Sequence, residues 1–588
     1  MILQALTSLY ETLAQKGEIS KEGWSREKIS FALSIDEEGN LLRVTPLFDT
    51  VDGPKGKTRE VPQKMTVPAA VKRTSGAAAN FLWDNSSYIL GVSLKKGEDD
   101  AEREKRRNKD IKCFEACREL HHSMLDGMEY PAAKAVLNFL DKWEPQKAEE
   151  NNLVAQYAKE ILSGANMVFR FNGGYVHDDP QLASVWQKAN AKQKDNIGQC
   201  LVTGALDEIQ NTHPTIKGVQ GAQSSGAALV SFNASAFCSY NKEQNQNAPV
   251  GKYAAFAYTT ALNHLLADRK NVHRIGDAAV VCWAENADKQ YEDFAAEVFF
   301  GDNVDKSDEQ RLSALRTSLK LLADGLPCKE MDLDPDRKFY ILGLSPNAAR
   351  LAVRFFYCDS FGKIAGNIYK HHERLEIVRP SYDKFPILPL WKLLSATVNP
   401  NAKDKTPNAA MAGAVARAVF SGGRYPASLL ECTFLRIKAE RNITRERAAI
   451  IKAYYLRNPN EKCPKEVLTV SLNENSKNIP YTLGRLFSVY EEIQQAANPG
   501  INTTIKDRYF GSAAAMPATV FPILSNLAQK HLRKLSDAQR VYLDKKVMTL
   551  NSFLGEQYPA HMSLPEQGSF DLGYYHQTQA RYTKKEDK

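Results

Sequence analysis

No stretch of this 588-residue sequence is apolar for long enough to span a bilayer, and the N-terminus lacks the basic lead of a secretory signal. MILQALTSLYETLAQ instead repeats leucine at Leu3, Leu6, Leu9 and Leu13 around Glu11, the pattern of an amphipathic helix. A cytoplasmic protein without membrane contact is expected. Cysteine is sparse: nine residues, odd in number and scattered, which argues for reduced thiols and against a disulfide framework. Cys113, Cys117 and His121, with His122 beside them, are the one group with metal-ligand chemistry. On a helix, steps of four residues set side chains along a stripe about 6 Å apart, so the three do not converge on one tetrahedral ion. No metal and no cofactor is expected.

Catalytic signatures are missing as well. GPKGKT carries Gly56, Lys57 and Thr58, the tail of a phosphate-binding loop, but the required first glycine would fall at Val51. Gly218, Gly221 and Gly226 lack the single-residue spacing of a dinucleotide fingerprint. There is no HExxH, no GxSxG and no zinc-deaminase CxxC. His371 and His372 before Glu373 remain, a cluster more typical of a surface or a cap than of a catalytic centre. Strong charge of one sign is absent too: 77 bases against 69 acids leave a net charge of +8, a mild lean toward an anionic partner.

What the chain does have is enough hydrophobic residue, 43%, to bury real cores, and a length that exceeds one ordinary domain. KISFALSIDEEGNLLRVTPL (28–47) reads as two strands about a Glu-Glu-Gly-Asn turn. The charge-dense 95–110 reads as a solvated loop and helix face, 111–163 as helix, and MVFRFNGGYVHDDP as a short strand and turn. Residues 277–285 and 337–359 read as buried strands. Val230 and Phe232 alternate with Ser231 and Asn233 as in a half-buried strand, followed by a helix that places Tyr253, Phe256, Ala257, Thr260, Ala261, His264 and Leu265 on one stripe. Asn247 is the expected N-cap of that helix, with Pro249 in its first turn. Past about 400 the pattern is helix after helix, with a boundary placed in VNPNAKDKTPNAA, 398–410.

The segment GVQGAQSSGAALVSFNASAFCSYNKEQNQNAP (218–249) gathers uncharged hydrogen-bonding side chains around glycine, with one acid. A phosphate cradle, a polar surface that reads another molecule, and an ordinary loop all fit that composition. A second segment, VKRTSGAAANFLWDNSSYILG (71–91), adds charge: Lys72 and Arg73 suit phosphate, and Thr74, Ser75, Asn80 and Asn85 suit a groove.

RTSGAAANFLWDNSSYILG, LVSFNASAFCSYNKEQNQNAPVGKYAAFAYTTALNHLL, YTLGRLFSVYEEIQQAANPGINTTIKDRYFGSAAAMPATVFP and EQGSFDLGYYHQ, in this order, resemble the large subunit of the type I-C CRISPR surveillance complex, Cascade. The resemblance runs over nearly the whole chain. It implies a non-enzymatic subunit that sits near one end of the CRISPR RNA and contacts the Cascade backbone subunits. Such a subunit reads the protospacer-adjacent motif in duplex DNA, helps open the target, stabilises the R-loop with its displaced strand, and presents it to a helicase-nuclease. The implied fold is α+β: a mixed strand and helix DNA-reading region over 1–400, then an all-helical bundle over 401–588. Within that bundle 470–588 resembles a Cascade small subunit, which in many such systems is also translated separately.

Within the resemblance, side-chain type singles out Lys72, Arg73, Thr74, Ser75, Asn80, Asn85, Gln220, Gln223, Ser224, Ser225, Asn233, Lys242, Gln244 and Asn247 for the adjacent motif. Arg485, Lys506, Arg508, Lys530, Arg533 and Lys534 are candidates for the backbone of single-stranded DNA. Leu483, Leu486, Phe487, Tyr490 and Ile493 form the first apolar stripe of the small-subunit-like part, ended by Asn498, Pro499 and Gly500. The chain departs from the family pattern at Cys238 and Asn241, where an acid and a glycine are expected, and at Gly251 and Lys252, which replace a Ser-Glu helix start. These departures loosen any single shape for 240–252. Two other functions stay open on the sequence: a metal-dependent nuclease built on the histidine pair, and an assembly scaffold without DNA sequence preference.

Overall fold

The computed structural model describes residues 1–582 except 53–57, 72, 74–75, 95–98, 191–195, 233, 302–308 and 384. It divides into two compact units: one from residues 3–213 and 232–261, the other from 214–231 and 262 onward. The strands are β1 Trp24–Ile29, β2 Phe31–Ile35, β3 Leu41–Pro46, β4 Phe48–Asp52, β5 Thr58–Pro68, β6 Trp83–Asn85, β7 Asn166–Phe171, β8 Gly174–Tyr175, β9 Ile197–Gln199 and β10 Leu206–Glu208 in the first unit. In the second they are β11 His273–Ile275, β12 Ala278–Ala284, β13 Lys338–Asn347 and β14 Arg350–Ser360.

The helices of the first unit are α1 Ile2–Gln15, α2 Ser86–Ile89, α3 Asp100–Leu125, α4 Pro131–Lys142, α5 Asn152–Ala155, α6 Ala158–Ile161 and α7 Pro180–Asn190. After α8 Lys252–Ala267, which runs across the division, come α9 Lys289–Ala295, α10 Glu309–Ala323, α11 Phe361–Leu375, α12 Leu390–Ser395, α13 Ala409–Ser421, α14 Ala427–Glu440 and α15 Arg445–Arg457. The last five are α16 Ile479–Ala497, α17 Ile505–Ala515, α18 Pro517–Leu532, α19 Asp537–Asn551 and α20 Leu564–Ala580. Among the described residues none of the helices is long and apolar enough to cross a membrane.

In the first unit the period-2 alternation of strands sorts side chains between two cores. Phe31, Leu33 and Ile35 of β2, with Met167 and Phe169 of β7, face the larger one together with Phe114, Val136 and Phe139 of α3 and α4. Ala32 and Val168, one residue out of phase, turn to Ile29, Leu47, Val67 and Trp83 in the smaller. The sheet order is β3-β2-β7-β6, with β8 folded back on β7. β2 and β7 run parallel, Phe31 opposite Met167, while β2 and β3 form the expected antiparallel hairpin. β1, β5 and β4 make a separate antiparallel sheet. His121 of α3 accepts from Leu82 N at Nε2 (2.9 Å) and bonds Cys117 O at Nδ1 (2.7 Å), so both ring nitrogens already have partners.

In the second unit β11-β12-β13-β14 is an antiparallel meander. The run 337–359 forms two strands of a hairpin, with Lys338 opposite Ser360 and Asn347 opposite Arg350. Ala278, Val280, Cys282 and Ala284 of β12 line one face and enter a core shared with α9 through α20. Beyond Ser360 the elements among the described residues are helices, and the fold is α+β.

Two expectations fail. Val230, Ser231 and Phe232 form no strand; the nearby backbone makes only isolated bridges, Ile216 to Ala227 and Ala228 to Arg350. Alternation over four residues does not suffice where pairing with β14 is a single bridge at Ala228. Asn247 does not cap α8, which begins five residues later at Lys252. The amide of Tyr253 in its first turn instead reaches Asp207 Oδ2 (3.1 Å), a side chain from β10.

Candidate nucleic-acid interface

The segment 71–91 is pinned on Asp84, whose side chain is 1% exposed. Its Oδ2 takes the Arg73 guanidinium and the Asn80 amide (2.8 Å), and its Oδ1 takes the Asn85 amide (2.8 Å). Burial pushes the Asp84 carboxyl above its ordinary range, and the hydrogen bonds and Arg73 oppose that shift. Arg73 also donates Nε to Ala78 O (2.7 Å) and lies 4.0 Å over the Tyr88 ring. Asn80 is buried and accepts from Val71 N at 2.9 Å; Asn85 caps α2 by accepting from Ser87 N. Three residues chosen for DNA thus hold the loop's own shape. Lys72, Thr74 and Ser75 lie outside the described residues.

The polar segment 218–249 is shared between the units, its first part in the second unit and its last part in the first. In the second unit Gly218, Gly221 and Gly226 have φ of 94°, 86° and 103°, left-handed turns that need glycine. Ile216 and Ala227 exchange backbone hydrogen bonds across the base of the resulting loop. Gln220 Oε1 accepts from Arg274 Nη1 (2.8 Å), while Gln223, Ser224 and Ser225 are exposed.

In the first unit 234–251 is laced to the hairpin β9–β10. Leu201 N donates to Pro249 O (2.9 Å) and Gln210 N to Val250 O (3.0 Å). The centre of the lacing is a residue that sequence reasoning passed over. Asn245 is fully buried, its Nδ2 donating to Gln210 O (2.7 Å) and to His213 Nε2 (3.1 Å). His213 Nδ1 in turn meets Tyr258 OH at 2.7 Å, and burial lowers the imidazole to about 4. Composition could not separate Asn245 from its neighbours, because Gln244, Gln246 and Asn247 have the same chemistry. Lys242 and Gln244 are exposed; Asn247 is half-buried and donates to Phe237 O (2.7 Å). Asn233 lies outside the described residues.

The C-terminal cations divide likewise. Arg485 is buried, donating Nε to Gln577 Oε1 (3.1 Å) and Nη1 to Asn473 O and Glu474 O, so it is held inside rather than offered to a strand. Lys506 lies 5.1 Å over the Tyr574 ring, and burial lowers its ammonium. Arg508 is exposed. Lys530, Arg533 and Lys534 are exposed together at the end of α18, where cations also complement the helix dipole. His371 is buried against Tyr425 OH (2.6 Å), which pushes its imidazole well below the usual range.

A family model described as CRISPR-associated protein (Cas_Csd1) matches residues 6–582. The chain belongs to that family and is a Cascade-type CRISPR-associated protein. No curated protein matches it.

Proposed function

We propose that the chain is the non-catalytic large subunit of a type I-C surveillance complex. In this reading it binds the CRISPR RNA and the Cascade backbone subunits, reads the adjacent motif in duplex DNA, assists duplex opening and helps recruit a helicase-nuclease. Membership of the family across residues 6–582 carries the reading. The exposed amides and hydroxyls of Gln223, Ser224, Ser225 and Gln244 support it, since such groups address acceptors on base edges where A·T and T·A look alike. The end of α18 is the cationic surface best suited to a single strand. The nuclease alternative draws no support from His371, whose ring is enclosed against Tyr425.

A gel-shift assay with assembled complex, on duplexes that differ only in the adjacent motif, tests the proposal. A preference for one motif is expected. Equal binding to all of them leaves a scaffold, and metal-dependent cleavage by the isolated chain favours the nuclease.

A further inference from the structure

Helix α10 carries a polar row that the fold does not use. Ser313, Arg316, Thr317 and Lys320 are spaced i, i+3, i+4 and i+7, so they share one helix face, and all four are exposed. Neither cation has an ion-pair partner among the described residues. The row forms one wall of a cleft of about 560 Å³ within the second unit, a size usual for small-molecule sites. Tyr369 and His372 of α11 border it, and Ile377, Arg379 and Ile387 from the loop after α11 face the row. Past Arg316, Leu319 and His372 the cleft continues into a narrow apolar slot of about 60 Å³ lined by Leu312, Leu315 and Phe385.

The wall opposite α10 is held in place before any ligand arrives. Buried Arg445 of α15 donates Nη1 to Asp383 Oδ2 (3.0 Å) and to Phe385 O, and Nη2 to Pro386 O (3.2 Å). Lys392 Nζ lies 4.0 Å over the Phe385 ring. Next to Arg379, Val378 N donates to Val470 O (2.7 Å) and Val378 O accepts from Tyr575 OH (2.7 Å).

The groups around the cleft fit the parts of one kind of molecule. Arg316, Lys320 and Arg379, with the hydroxyls of Ser313, Thr317 and Tyr369, are groups that bind phosphate. Glu373 and Glu376 line the cleft too. Two carboxylates repel a bare anion, but they accept from the paired hydroxyls of a ribose, as an acid does in dinucleotide sites. Burial and the nearby Arg316 lower the His372 imidazole to about 4, so the ring is neutral at pH 7. It makes no hydrogen bond among the described residues. At the mouth of an apolar slot, a neutral imidazole offers one donor and one acceptor to the edge of a base. Inorganic phosphate would leave the slot empty, and an acidic peptide would meet the two glutamates.

We propose that this cleft binds a free nucleoside polyphosphate, with its phosphates on Arg316, Lys320 and Arg379, its ribose on Glu373 and Glu376, and its base in the slot beside His372. The proposal does not depend on the DNA-reading function, because none of the residues chosen for the adjacent motif lines the cleft.

The test uses the full chain and N-methylanthraniloyl-ATP, read by fluorescence anisotropy. Saturable binding is expected, with displacement by at least one of ATP, GTP, CTP and UTP. Inorganic pyrophosphate and the matching nucleoside should compete about ten-fold or more worse, since each fills only part of the site. Arg316→Gln and Lys320→Gln change exposed side chains, so both should melt like wild type while each weakens binding about ten-fold or more, the loss of one charge-assisted contact. Lys370→Gln removes an exposed cation of α11 that does not line the cleft and should bind like wild type. Saturating nucleotide should raise the melting midpoint of wild type and leave those of Arg316→Gln and Lys320→Gln nearly unmoved. No saturable binding, or undiminished binding by both variants, overturns the proposal whatever the gel shifts show. Pyrophosphate that competes as well as the nucleotide overturns it by reducing the cleft to an anion surface. Displacement of the nucleotide by single-stranded DNA overturns it by making the cleft part of a strand-binding groove.

Discussion

At the scale of residues, the same side-chain types serve recognition and self-support, and burial decides between them. Arg73 and Asn80 were natural choices for DNA by chemistry, yet Arg73 neutralises Asp84 and Asn80 satisfies the Val71 amide. Removing Arg73 leaves a buried carboxylate without its cation; because the arginine side chain is 29% exposed, the cost is set at about 1–3 kcal/mol rather than the larger figure of a fully buried pair. Asn80→Ala removes the acceptor of the Val71 amide, at a cost of about 0.5–1.5 kcal/mol. Both variants should therefore lower the denaturation midpoint of the isolated protein, measured by urea unfolding. Normal stability with a selective loss of motif discrimination would return both residues to the interface. Polar character was legible at 71–91 and 218–249, and inward orientation was not: nothing in the string NKEQNQN distinguishes buried Asn245 from exposed Gln244.

At the scale of elements, a turn between two apolar runs is legible locally, whereas a pattern that depends on a partner, as at Val230–Phe232, is not. The hairpin of β2 and β3 declared itself through a turn between two apolar runs, and β12, β13 and β14 through short runs rich in branched and aromatic residues. The parallel pairing of β2 with β7 joins residues far apart in sequence and left no local trace. The start of α8 was misplaced for a related reason, since the carboxylate at its first turn is Asp207 from another element. The pairing of α16 with α20 was equally hidden, although both motifs were recognised. It depends on two glycines. A Cβ at Gly484 would stand 2.0 Å from Phe570 O, and one at Gly573 would stand 2.1 Å from Tyr481 O. That approach lets Tyr481 OH reach His576 Nδ1 (2.9 Å), Ser488 Oγ reach Thr578 Oγ1 (2.8 Å) and Tyr574 OH donate to Glu491 Oε2 (2.6 Å). Alanine normally stabilises a helix over glycine by about 1 kcal/mol. Here the sign should reverse. Gly484→Ala and Gly573→Ala are expected to destabilise by about 2–4 kcal/mol, because the backbones must part and the polar seam opens. Gly511→Ala in α17, with nothing within 4 Å of its Cβ position, should instead stabilise by roughly 0.5–1 kcal/mol. Thermal melts of the three variants decide; a gain at Gly484 would mean that the helices do not touch there.

At the scale of the whole molecule, the helical end raises the question of a separate small-subunit product. Between Met411 and Met516 the sequence has no methionine. A start at Met516 discards α16 and α17, and α16 is the helix that packs on α17, α18, α19 and α20 together. Its Leu483, Leu486, Phe487, Val489, Tyr490 and Ile493 are all buried, so without it the remaining helices face water with their apolar sides. The lead into α16 matters as well. Arg485 is satisfied by Asn473 O and Glu474 O, and Asn473 N donates to Tyr481 OH (3.2 Å), so a start downstream of 474 leaves a buried guanidinium short of acceptors. Upstream, Val467, Leu468, Val470 and Leu472 are the residues whose codons can serve as GTG or TTG starts, and Val470 keeps the lead with the least extra chain. The fragment from 470 should melt cooperatively, with a lower midpoint than the full chain, because Gly568 of α20 loses the covering rings of Tyr455 and Phe434. The fragment from 516 should show no cooperative transition by circular dichroism. Mass spectrometry of complex purified from its native operon should accordingly find a C-terminal product beginning near 470 beside the full-length chain. Only full-length protein, or a product beginning at Met516, would refute the internal start while leaving the DNA-reading proposal standing.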